Sequence, residues 1–148
     1  MVFGVEQIQV AAVLFCNDGK GNYVLNYRAN CRDENSKWDC GGEAAEPGET
    51  IEQTLRRGVL EEYCVPIISF EFLGCRHACR EENGEKMHWI LHDYRVLVDR
   101  DKVRNGEPHK FDEVGFFPLG EIEYMAREIP LLLHSGFPEC LRRYSGRL

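Results

Sequence analysis

The chain has 148 residues, 43% hydrophobic and 29% charged, with a formal net charge of −7, so one domain with one core over residues 1–148 is expected. Nucleic-acid affinity comes largely from Lys and Arg displacing condensed counterions, so this acidic balance argues against a nucleic acid polymer as partner. An acidic protein can still hold a polyphosphate where bound divalent cations concentrate positive charge, and a cation-binding cluster is the feature to expect.

Residues 7–15 are β-branched and apolar. The uncharged run at 10–15 is far too short to span a bilayer, so it reads as a buried strand and no membrane partner is expected. There is no basic leader followed by a small-residue cleavage site, hence no sign of export. Seven cysteines, an odd number at irregular gaps, suit reduced thiols, and the expected location is cytoplasmic. The turn cluster at 17–22 leads into a second extended run at 23–27, a hairpin signal. From 31 to 48 the chain is polar and aperiodic, broken by Gly41-Gly42 and Pro47-Gly48, and reads as loop.

Thr50 and Gln53 match the capping box, so a helix begins there. Ile51, Leu55, Val59 and Tyr63 form one apolar stripe, and Pro66 forbids continuation beyond about Val65. Residues 68–76 and 88–98 read as strands joined by a turn over 81–86 that contains Asn83-Gly84. A short strand is predicted at 114–118, and helices at 121–128 and 131–142. This order predicts an α/β fold with a mixed sheet covered on both faces.

The densest informative segment is Gly41-Gly42-Glu43-Ala44-Ala45-Glu46-Pro47-Gly48-Glu49 and the helix after it. Glu61 and Glu62 point about 100° apart on that helix, so both can border one cavity where a divalent ion bridges them. Arg57 lies one turn before Glu61, close enough to hold that carboxylate or its neighbours. Gly41 and Gly42 let backbone approach a ligand closely.

These residues resemble the Nudix box, G-x5-E-x7-R-E-U-x-E-E-x-G-U with U aliphatic: Glu49, Arg57, Val59, Glu61, Glu62 and Val65 fall in register. The resemblance implies a Nudix (MutT-like) α/β/α sandwich. It implies a pyrophosphohydrolase that binds a small-molecule nucleotide and directs water onto a phosphorus of a nucleoside diphosphate linked to another group, such as a nucleoside triphosphate. Magnesium, with manganese as an alternative, is the implied cofactor. A homodimer is one assembly that the resemblance leaves open to the chain.

The sequence departs from the pattern at three places. The glycine loop is one residue longer, Cys64 stands where the family has glycine, which predicts a change in how the helix is terminated, and Gly58 stands where it has glutamate. A carboxylate at 58 would have completed a three-acid patch with Glu61 and Glu62, and glycine costs about 1 kcal/mol in a helix interior. The expectation is chemistry slowed about 10²–10⁴-fold with binding retained, and a gain of turnover in Gly58→Glu. The alternative reading is a nucleotide-binding or sensing module without turnover. An interaction domain with no ligand is a third reading.

In relatives an acid from the loop before the last strand joins the metal site. Glu113 is the first candidate here and Glu107 the second. The metal set expected from the resemblance is therefore Glu61, Glu62, Glu49 and Glu113, with Glu61, Arg57 and Glu113 as catalytic residues. Gly41 and Gly42 would shape the phosphate loop. Trp89, His92 and Phe117 are candidates to line a base pocket, where an aromatic face stacks on the nucleobase.

Overall fold

The structure, a computed structural model, describes residues 7–82 and 84–148. Its centre is β1 (Gln7–Asn17), which pairs in parallel with β6 (Glu85–Leu97) from Gln7–Met87 to Asn17–Leu97. β1 meets β2 (Asn22–Arg28) only at the turn, through Asn17 and Tyr23, and the two strands then separate. The short strands β3 (Lys37–Asp39) and β4 (Gly42–Ala44) pair with β2 and β1 respectively. β5 (Ser69–Glu82) pairs with β6, and β7 (Phe111–Pro118) pairs with β2, making a seven-stranded mixed sheet.

Strand alternation sends Ala12, Leu14 and Cys16 to one face, where α1 (Ile51–Tyr63) buries Leu55, Val59 and Tyr63 completely. Burying a side chain of this kind contributes about 1.5–3 kcal/mol, which is what seats the helix on the sheet. Val13 and Phe15 face the other way, against Ile122 and Met125 of α2 (Leu119–Glu128) and Phe137 and Cys140 of α3 (Phe137–Arg143). The expected mixed sheet with helices on both faces is thus observed.

Several predicted boundaries move. The segment 31–48 contains two three-residue strands, which exist only because β1 and β2 offer them unpaired edges. The β5–β6 strands extend to Glu82 and Glu85, so the turn is tighter than predicted; Gly84 has φ 79°, and Asn83 lies outside the described residues. The helix predicted at 131–142 is broken into a 3-10 turn at Pro130–Leu132 and then α3. The main-chain N–H of His134 donates to the Trp38 carbonyl, so the intervening backbone pairs with β3 instead of continuing a helix. α1 stops at Tyr63, and Cys64 takes the left-handed conformation, φ 57° and ψ 30°, usually filled by glycine. The change at 64 therefore leaves the mode of helix termination intact.

Candidate active site

Both halves of the Thr50–Gln53 capping box form, fixing where α1 begins and so which way Arg57, Glu61 and Glu62 project. Arg57 grips both oxygens of Glu49, with Nε to Oε2 at 2.8 Å and Nη2 to Oε1 at 2.9 Å. Its Nη1 donates to Glu43 at 2.9 Å and reaches Glu61 at 3.4 Å, and its Nη2 also donates to the Ala44 carbonyl. One guanidinium straps the loop after β4 to the helix. Its hydrogen bonds, with those from Thr54 and the backbone of Glu46, hold the Glu49 carboxyl at about 2, well below the usual carboxylate range.

Glu62 is only 4% exposed. Its Oε1 accepts from the Gly42 N–H at 3.4 Å, while Oε2 has no partner. Burial pushes its pKa well above the ordinary range, and the charges of Glu107, Glu43 and Asp39 push the same way. Gly41, at φ 106°, lies against Oε2, and a Cβ there would collide with it. A buried carboxylate oxygen without a partner costs about 1–3 kcal/mol or more. A proton or a cation relieves it, and hard oxygen ligands suit magnesium. Among the described residues, no three His, Cys, Asp or Glu side chains already converge as a ligand set; Glu43 and Glu61 are both turned toward Arg57.

Gly58 is buried against β4, and a Cβ built on it would lie 2.6 Å from the Cβ of Glu43. Close approach of helix and strand accounts for this glycine, and Gly58→Glu cannot enter without displacing β4. The expectation of a simple gain from that substitution is revised accordingly. Burial raises the pKa of Glu43, the hydrogen bond from Arg57 works against this, and the nearby charge of Glu61 reinforces it.

A cavity of about 560 Å³ opens beside these groups, on the α2/α3 side of the sheet. Glu62 reaches it from the opposite helix where β1 and β2 have parted. Gly41, Gly42, Glu43, Asp39 and Trp89 line it, together with Arg28, Arg32, Arg76, Arg80 and Lys110. Basic side chains thus gather at one place in an acidic chain, and acids of the same lining pair with them, Asp33 and Asp39 with Arg28, and Asp33 with Arg80. Arg76, Ala78 and Arg80 share a face by strand alternation, and Ala78 pairs with Trp89, so this basic row was readable from period two alone.

Two expected pocket residues lie elsewhere. His92 is an odd number of positions from Trp89 and faces the α1 side, with its ring 6.1 Å from that of Phe72. Phe117 packs its ring 4.8 Å from Trp38 within the α2/α3 core. Glu113 pairs with Tyr27 in β7 and borders a separate cleft with Arg100 and Arg104. Glu107 is the loop acid whose charge reaches Glu62. The loop holding it is pinned to the end of α1 by Arg104 N–H to the Tyr63 carbonyl and Gly106 N–H to the Glu62 carbonyl.

The NUDIX domain family model matches residues 6–134. The chain is 21% identical to the MutT protein from Methanosarcina mazei Go1, with a TM-score of 0.72 and 97% of each chain covered. It is 19% identical to the NUDIX domain of Shewanella oneidensis NrtR, crystallised with ADP ribose, with a TM-score of 0.71, covering 98% of this chain and 90% of that one. A MutT NUDIX hydrolase from Burkholderia pseudomallei is 23% identical at a TM-score of 0.68, covering 78% and 86% respectively. At these identities the likeness is one of fold. Among curated proteins nothing matches this sequence.

Proposed function

This chain belongs to the NUDIX domain family, and from that membership we propose that it hydrolyses a nucleoside diphosphate linked to another group, with magnesium, or manganese in its place. The observation that carries this reading is Glu62: a buried carboxylate with an unpartnered oxygen, held against a glycine loop at the edge of a cavity that arginines and carboxylates line together. Glu61 and Glu62 would hold the cation. Bound there, it would neutralise phosphate oxygens and lower the pKa of the attacking water.

The remaining residues act around that centre. Arg57 and Glu49 position the helix carboxylates. Gly41 and Gly42 allow backbone to approach the phosphates, and the arginines of the cavity meet their charge. Trp89 offers a ring for the base or the linked group. Glu107 takes the auxiliary role first given to Glu113, because its charge is felt at Glu62. The S. oneidensis neighbour, which carries ADP ribose, supports this substrate class. Among the described residues no helix is long and apolar enough to cross a membrane. We place the protein in the cytoplasm, supported by its seven unpaired cysteines.

A second reading, a binding module without turnover, is favoured by Gly58, which leaves the helix one carboxylate short. Phosphate release across a nucleotide panel with magnesium, set beside thermal shifts with the same compounds, separates the two. Magnesium-dependent release supports the hydrolase. Stabilisation without release supports the binding module, and neither effect removes both readings.

A further inference from the structure

The helix carries Glu61 against Arg57 and Glu62 at the cavity wall, but no side chain at Gly58, one turn before them. The sheet fills that position. Pairing of Ala12 with Glu43 sends the Glu43 side chain to the α1 face of β4, where its Cβ occupies the space a Cβ at 58 would need. Its carboxylate continues past Gly58 to Nη1 of Arg57, the nitrogen that also reaches Glu61. Glu43 and the buried Glu62, one oxygen of which has no partner, line the same cavity. Glu43 thus shares Arg57 with Glu61 and a cavity wall with Glu62, whose buried oxygen lacks a partner.

We propose that Glu43, delivered by β4 opposite Gly58, is the third carboxylate of the cation site, in the position that a longer side chain at 58 would otherwise supply from the helix. This rests on the hydrolase reading and deepens it. Glycine at 58 and glutamate at 43 are then one arrangement: glycine makes room for the strand, and the strand brings back the charge. Arg57 is the device that holds Glu43 and Glu61 near one another despite their repulsion, until a cation takes over that task.

The test is equilibrium Mn2+ binding without nucleotide, followed by calorimetry, with circular dichroism and melting temperature recorded for every variant. Glu43→Gln removes the charge while keeping a group able to face Arg57, and is expected to weaken Mn2+ binding about 10–100-fold. Glu43→Gly should weaken it as much. Gly58→Glu alone should lower the melting temperature, because its Cβ enters the space of Glu43. The double variant Glu43→Gly/Gly58→Glu should recover Mn2+ affinity by returning the carboxylate from the helix. Parental Mn2+ affinity in Glu43→Gln and Glu43→Gly overturns the proposal, as does a folded double variant no tighter than Glu43→Gly. If Glu43→Gln keeps its affinity while Glu62→Gln loses it, this inference falls and the hydrolase reading stands. If the parent protein binds no Mn2+, both fall.

Discussion

The hydroxyl of Tyr63 donates to the Cys40 carbonyl and accepts from Nδ2 of Asn26, tying the last turn of α1 to β2 and to the residue just before the glycine loop. All three residues are buried. Tyr63→Phe would leave a buried amide and a buried carbonyl without partners, at a cost of about 1–3 kcal/mol. Urea unfolding should show that loss. Because Gly41 adjoins Cys40, Mn2+ affinity should weaken as well. Unchanged stability would mean that the tie is dispensable.

Arg57 and Glu49 meet through two parallel hydrogen bonds, a geometry only a planar guanidinium provides. Arg57→Lys keeps the charge but loses the fork and cannot also hold Glu43 and the Ala44 carbonyl. Magnesium-dependent phosphate release should fall about 10–100-fold through misplacement of the carboxylates, with the far-UV circular dichroism spectrum unchanged. Parental turnover in this variant would show that the strap does not position the site.

Cys64 holds a left-handed conformation that costs a non-glycine residue roughly 1–2 kcal/mol. Its side chain is exposed, so removing it leaves no cavity. Cys64→Gly should raise stability by about 0.5–1 kcal/mol after the greater chain entropy of glycine is counted, read as a higher melting temperature.

Glu34 links the loop after β2 to the segment before α3. Burial opposes its charge, yet hydrogen bonds from Lys37 and Ser135, with the nearby His134, hold its carboxyl at about 2, against an ordinary 4.5. A folded-state pKa below the unfolded one stabilises the protein above pH 4.5, and that stabilisation disappears as pH falls toward 2. Glu34→Gln should therefore melt below the parent protein at pH 7, and the gap should close near pH 2. A gap that persisted at pH 2 would rule out ionisation as the source.

α1 was legible because its signals are local: Thr50 and Gln53 cap it across three residues, and its stripe repeats every four. The long strands were legible from alternation, though their ends were not, since a strand stops where its partner stops. β3 and β4 left no trace in the sequence, because three residues form a strand only beside an open edge. The spacing at 131–142 suggested a helix, but the backbone there found a partner in Trp38 instead.

The sequence by itself determined the chemistry on offer: a capped helix bearing Arg57, Glu61 and Glu62 after a glycine loop, in an acidic chain with hard oxygen ligands. Only the tertiary structure decided which other side chains lie near them. Sheet register set Glu43 against Gly58, the parity of β6 put Trp89 and His92 on opposite faces, and loop docking on α1 brought Glu107 rather than Glu113 toward Glu62. Propensity and periodicity act over a few residues. Contacts such as these depend on where β1 and β2 part and how far α1 approaches the sheet, which the packing of the whole core fixes.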